Sequence, residues 1–335
     1  MIRLFYQEYQ RAPLRTVRRK SKTVSECAMR QIGTSSREWE LETGGYGSMG
    51  KAKVYFTKDI TPEAMIRMYE VMGVKLPGRV AVKLHSGEVG NQNFLRPDFM
   101  KPVIDYVEGT IVECNTAYEG KRNTTKEHWE TMKLHGWTEI AEVDIMDEEG
   151  EIELAVPKGR RIQRNYVGSH IENYDSMLVL SHFKGHPMGG FGGALKNISI
   201  GLASSHGKAY IHGAGNVEEI WTSDHDSFLE SMADASKSIM DYFEGKIVFI
   251  NVMKNMSVDC DCCAVAEDPA MADIGILAST DPTALDQACL DLVYASDDPG
   301  RDHLLERIES RNGVHTIEAA AQIGVGEREY EIIDL

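Results

Sequence analysis

Long apolar runs are missing from this 335-residue chain. The longest, such as Met177-Leu178-Val179-Leu180 and Ile247-Val248-Phe249-Ile250, are strand-sized and far short of the roughly 20 residues that a membrane-spanning helix needs. A protein built on transmembrane helices is therefore excluded. Positive charge is also scarce: 36 Lys and Arg stand against 52 Asp and Glu, a net charge of −16. That balance repels phosphate backbones and anionic lipid, so neither nucleic acid nor a membrane surface is an expected partner. Cysteine is sparse as well. Six residues are too few for a disulfide framework in a chain of this size, and no apolar signal segment precedes a small-residue cleavage site. A reducing cytoplasm is the expected setting. Internal repeats and low-complexity tracts are lacking too.

What is present is an ordinary 42% hydrophobic content, enough for a sizeable core. Residues 1–50 differ from the rest. They are basic early (Arg15, Arg18, Arg19, Lys20, Lys22), end in Thr43-Gly44-Gly45-Tyr46-Gly47-Ser48, and show no periodicity. They read as a disordered or non-native extension, with Met49 a plausible true start, and residues 51–335 read as a single domain. From Lys51 strands and helices alternate. Val54 to Thr57 reads as a strand, and Thr61-Pro62-Glu63 opens a helix that Gly73 stops. Strands are expected at Val80–Leu84, Thr110–Cys114, Met177–Ser181, Lys246–Val252 and Ile274–Ala278. Helices are expected at Asp98–Val107, Thr125–Leu134, Phe228–Phe243 and from Asp281-Pro282 to about Tyr294, with two short ones near His303 and His315. The acidic turn Asp147-Glu148-Glu149-Gly150 suggests a hairpin or a pair of edge strands. The fold class that follows is α/β: a mostly parallel sheet with helices on both faces and a small β-rich edge segment.

Ligands of such sheets bind beyond the carboxyl ends of the strands. The residues there are unusually polar: Lys83 and His85; Cys114, Asn115 and Thr116; Ser181, His182, Lys184 and His186; Asn251, Lys254 and Asn255; Ser279, Thr280 and Asp281. The densest run is Ser181 to Asn197, where Gly189, Gly190, Gly192 and Gly193 expose amide N–H groups that could cradle an anion at the start of the next helix. It matches neither a dinucleotide fingerprint, which would need a third glycine at Leu195, nor a Walker A loop. His182 and His186 are candidate metal ligands, and Lys184 and Lys196 candidate anion holders.

Cys260-Asp261-Cys262-Cys263 crowds three thiols together. In an extended chain Cys260 and Cys262 would point to one side and Cys263 to the other. Asp259 and Asp261 should disfavour a thiolate unless a metal or a lysine compensates. Metal ligation, redox thiols and inert packing all stay open from spacing alone, and a four-thiolate cluster would need partners such as Cys114 or Cys289.

Taken together, these segments resemble the family catalogued as domain of unknown function 362, often labelled an Fe-S center protein. The resemblance runs from about Lys53 to the C-terminus. It rests on Lys53 to Thr57, Val82-Lys83-Leu84-His85, Val112 to Thr116, Ser181 to Ser199, Ser257 to Cys262 and Asp273 to Ala278. Many members carry a ferredoxin-like insert with two C-x-x-C-x-x-C-x-x-x-C-P runs after the counterpart of Gly207-Lys208. This chain has no cysteine between Lys208 and Phe228, so the iron–sulfur label does not transfer through that module.

The functional expectation is a metal- or iron–sulfur-associated redox-type protein, an oxidoreductase acting on a small anionic substrate or serving a redox partner protein. Cys260 and Cys262 would be sulfur ligands to a cluster or to iron, zinc or nickel, and His182 and His186 would add ligands or proton transfer. Lys83, His85, Lys184 and Lys196 would serve catalysis, with Asn115 and the four glycines at a cofactor. A metal-assisted isomerase or hydrolase using the imidazoles, and a non-catalytic electron-transfer protein, are the alternatives.

Overall fold

The computed structural model describes residues 51–335; the basic N-terminal segment and its suggested start at Met49 lie outside the described residues. Strand β1 (Ala52–Thr57) leads to helix α1 (Pro62–Val71), where the Thr61 hydroxyl accepts the Ala64 N–H at 3.2 Å and Pro62 occupies the first turn. Next come β2 (Val80–Lys83), α2 (Pro97–Tyr106), β3 (Thr110–Glu113), α3 (Thr125–Leu134) and the short β4 (Val143–Ile145). A two-stranded ribbon follows, β5 (Glu151–Ala155) with β6 (Arg164–Gly168), then β7 (Ser176–His182) and the hairpin β8 (Lys184–His186) and β9 (Gly190–Gly192). Helices α4 (Ala194–Ser199), α5 (Ser205–His212) and α6 (His225–Phe243) precede β10 (Ile247–Met253) and β11 (Gly275–Ser279). The chain closes with α7 (Pro282–Ala295), α8 (Arg301–Ser310), α9 (Val314–Gln322) and β12 (Tyr330–Asp334).

Eight strands form one sheet in the order β12-β1-β11-β10-β7-β2-β3-β4. All pairs are parallel except the two that β11 makes, with β1 and β10. The strands are continuously apolar because both faces are covered, and the period-two alternation deals their side chains to two cores. Ala81, Val112, Met177, Val179, Phe249 and Leu277 pack with α4, α6, α7 and α9 on one face. Val82, Ile111, Leu178, Leu180, Ile250 and Ile276 pack with α1, α2 and α3 on the other. Truncating a fully buried residue such as Phe249 would cost about 3–5 kcal/mol.

Two expectations change. The acidic turn at Asp147 does not close a hairpin: β4 ends the main sheet, while β5 pairs with β6 in a separate ribbon. And because β11 runs against its neighbours, Ser279, Thr280 and Asp281 lie at the edge opposite the carboxyl ends of the other strands. Asp281 there caps α7, accepting the N–H groups of Thr283 at 2.9 Å and Ala284 at 3.0 Å. No helix among the described residues is long and apolar enough to cross a membrane.

A candidate metal centre and its cationic cleft

The carboxyl ends of β2, β3, β7 and β10 converge, and the segment after β10 brings the cysteines to them. Gly185 makes this approach possible. Its N–H donates to the Ser257 carbonyl at 2.8 Å, and a side-chain carbon there would stand 2.3 Å from the Val258 oxygen. Residues 260–263 form a turn, not the extended run expected, because the Cys263 N–H donates to the Cys260 carbonyl at 2.9 Å. The Asn91 amide clamps it from outside, donating to the carbonyls of Cys263 at 2.8 Å and Cys260 at 3.4 Å. All three thiols are buried and form their own cluster.

Asp261, the residue expected to oppose a thiolate, is neutralised. Lys184 Nζ lies 2.8 Å from one carboxylate oxygen, and His182 Nδ1 lies 3.0 Å from each. Burial pushes the Asp261 carboxyl up, yet His182 and Lys184 prevail and hold it well below the usual carboxylate range. The other nitrogen of His182, Nε2, lies 2.6 Å from the Lys254 carbonyl. Both nitrogens are thus engaged, which leaves His182 no lone pair for a metal in this arrangement.

His85 and His186 are placed differently. His186 Nδ1 accepts the N–H groups of Gly189 at 2.8 Å and Met188 at 3.2 Å, and His85 Nδ1 accepts that of Gly87 at 3.1 Å. An Nδ1 facing N–H donors cannot itself carry hydrogen, so each neutral ring is protonated at Nε2. Each ring also hydrogen-bonds Cys260. Burial first of all, and then the cations Arg122 and Lys196, lower His85 to about 4 and His186 to about 3. Cys260 is lowered as well: its bond to Cys262 and its burial push it up, but Lys196 and Lys184 overcome both, with Lys196 Nζ 3.8 Å from the sulfur. Cys262 moves the other way. Its bond to Cys260 pulls it down, yet contact with Cys263 and burial push it up to about 12. One ligand atom each from His186, Cys260 and Cys262 lie within 4.8 Å of one another and could hold a metal ion. Soft sulfur with imidazole suits zinc, iron or nickel.

Beside the sulfurs lie two adjoining clefts of about 30 and 20 Å³ that share His85, Lys196 and Asn197. The larger reaches Cys262, Lys83, Glu113, Arg122 and Lys208; the smaller reaches Lys184, Gly192 and Gly193. Lys83 donates to the Leu84 carbonyl and to Glu113 Oε2 at 2.7 Å, and the Ser86 N–H donates to Glu113 Oε1 at 2.8 Å. Burial works against the Glu113 charge, but Lys83, His85 and Arg122 hold its carboxyl far below its ordinary value. Asn115 is committed elsewhere, to Asp147, Thr125 and His128.

The expected anion cradle at the glycine-rich run exists, and the protein fills it. Asp286 of α7 accepts the N–H groups of Ala194 at 2.8 Å and Leu195 at 3.0 Å, and Asn251 Nδ2 at 2.7 Å. A side-chain carbon at Gly193 would stand 2.3 Å from that carboxylate, and one at Gly190 would stand 2.9 Å from Gly313 Cα. Gly190 and Gly193 therefore serve packing, whereas Gly192 faces Lys196 and Lys184, and Gly189 lies against His186 Nδ1. Sequence reasoning passed over Glu113 and Arg122. A charge ending the apolar Ile111-Val112 strand was a readable signal for Glu113; Arg122, in a polar loop, carried none.

Fold and site together define an α/β protein with a buried thiol–imidazole group able to hold a metal ion. The chain belongs to the family described as Domain of unknown function (DUF362), whose model matches residues 80–291. No curated protein matches it. Among solved structures it is similar to the lactate racemase apoprotein from Thermoanaerobacterium thermosaccharolyticum, at 13% identity and a TM-score of 0.41 over 71% of this chain and 56% of that one. It is also similar to a protein from Thermotoga maritima, at 13% identity and a TM-score of 0.39 over 78% of this chain and 58% of that one. The chain thus spans little more than half the length of these structures.

Proposed function

We propose that the protein is a metal-dependent, redox-type enzyme acting on a small anionic substrate. The single observation that carries this reading is the meeting of His186, Cys260 and Cys262 donor atoms within 4.8 Å beside a cleft that contains Lys196. Cys260 and Cys262 would hold the metal or iron–sulfur unit through thiolate, and His186 would complete three ligands through Nε2. When bound, that group supplies electron transfer or Lewis acidity. The chain's own residues do the rest. Lys184 and His182 keep Asp261 from repelling the thiolates, and Lys196, half-buried at the junction of the clefts, is the amine positioned to meet substrate.

The geometry favours this reading over an isomerase or hydrolase that uses imidazoles for proton transfer. A general base needs a lone pair facing the substrate and a pKa near the working pH. His85 and His186 spend that lone pair on backbone amides. The test is metal and acid-labile sulfide analysis of protein purified without oxygen, wild type beside a Cys260→Ser, Cys262→Ser double variant. Stoichiometric metal lost in the variant is expected; metal-free wild type after reconstitution with iron, zinc and nickel in turn would sink the proposal.

A further inference from the structure

The larger cleft is lined by cations whose hydrogen-bonding capacity the metal group and the ion pairs leave partly unused. Lys83, Arg122, Lys196 and Lys208 line it against one carboxylate, Glu113, and both oxygens of Glu113 are already bound. Lys208 is buried, and its Nζ donates to two backbone carbonyls, Ala203 at 2.6 Å and Cys114 at 3.4 Å. Among the described residues it has no carboxylate ion pair, and Asp147 and Glu113 act on it only from further off. Arg122, also buried, gives Nε to Glu88 at 3.2 Å and sets Nη1 3.8 Å from Glu113, but its Nη2 has no hydrogen-bond partner. A buried guanidinium N–H left unpaired costs more than an ordinary hydrogen bond gains, and a buried ammonium with no carboxylate in contact is costly too. In a chain of net charge −16, such a concentration of cations in one cleft matches an acceptor brought from outside.

We infer that Arg122 and Lys208 form the seat of a small oxyanion, the carboxylate or phosphate-type head of the substrate, placed against Cys262 and within reach of Lys196. A cleft of about 30 Å³ holds a group the size of about two waters, the scale of an oxyanion head. Oxyanion chemistry fits because a guanidinium N–H and an ammonium together match paired oxygens that share charge. The inference deepens the reading above, and rests on it only in treating Cys262 as part of the metal centre.

Isothermal titration of the full chain, stripped of metal by chelator, with oxalate and with inorganic phosphate at constant ionic strength tests the seat. One of the two should bind 1:1 with a Kd below about 1 mM. Oxalate preference assigns a carboxylate substrate and phosphate preference a phosphorylated one, while chloride should not compete at equal ionic strength. Lys208→Gln should weaken binding at least about tenfold. Arg122→Lys, which keeps the charge beside Glu88 and Glu113, should weaken it too, with unchanged circular dichroism showing that both variants fold. Failure of both anions to bind at about ten times that concentration, or wild-type affinity in a folded Lys208→Gln, overturns the inference. Stripped protein makes this outcome independent of whether the metal reading stands, since metal content is measured separately.

Discussion

His186 Nδ1 accepts the Gly189 N–H at 2.8 Å, and this bond decides how a metal can be loaded. With Nδ1 blocked, the ring proton sits on Nε2, so Nε2 becomes a ligand only when that proton moves to Nδ1 and the Gly189 bond breaks. Cys262, raised to about 12, must lose its thiol proton to the solvent. That released proton makes affinity rise at least about tenfold per pH unit. Metal titrations between pH 6.5 and 8 check this. A slope well below tenfold per unit would show that Cys262 keeps its proton and is not a ligand.

Gly185 lets the cysteine segment lie on β8. Gly185→Ala places a methyl 2.3 Å from the Val258 oxygen, so the 257–263 turn must shift away from His186. Metal affinity should fall at least about tenfold, with a stability loss of about 1–3 kcal/mol. Competition with a chromophoric chelator measures the first and urea denaturation the second. Undiminished affinity would mean the turn is not held by this contact.

Lys184 and Asp261 are both buried at 2.8 Å. Lys184→Met should destabilise by about 3–5 kcal/mol, because it strands a buried carboxylate. Asp261→Asn in the same chain should recover most of that loss. A double-mutant cycle by urea denaturation reads the coupling, and purely additive effects would argue that His182 alone neutralises Asp261.

Acid should unfold the metal-free protein early. His85 and His212 are lowered to about 4, and His128 and His186 to about 3, all chiefly by burial. Their folded values lie below the unfolded value, so their contribution is present above about pH 6.5 and lost as pH falls toward 4, at about 1.4 kcal/mol per unit for each ring. Asp286, raised to about 6 by burial, acts oppositely and adds one group's worth of stability as pH falls from 6 to 4. Three rings' worth of net loss against about 5–15 kcal/mol of total stability puts the midpoint near pH 4 to 5. Far-UV circular dichroism against pH gives the midpoint; a native signal persisting below pH 4 would contradict it.

Most of the sheet was legible because buried strands and capped helices announce themselves: Thr61-Pro62 opens α1, and α3 spans Thr125 to Leu134 as the periodicity indicates. Strand direction was not legible. Nothing in Gly275 to Ser279 signals that β11 runs antiparallel, because burial on both faces gives the same apolar run either way. At the site, the cysteines, His186 and Lys196 were visible as clustered chemistry. The occupant of the glycine-rich cradle was hidden, since Asp286 lies 92 residues from Ala194. The pairing of Asp261 with His182 and Lys184 was equally out of reach, being set by a loop that returns after β10.

Metal and acid-labile sulfide content, with a visible spectrum, of anaerobically purified protein beside the Cys260→Ser, Cys262→Ser variant tests the central claim most directly. Stoichiometric metal in the wild type and its loss in a variant that keeps the native circular dichroism are expected. Equal metal in both proteins, or none in either after reconstitution, would contradict it.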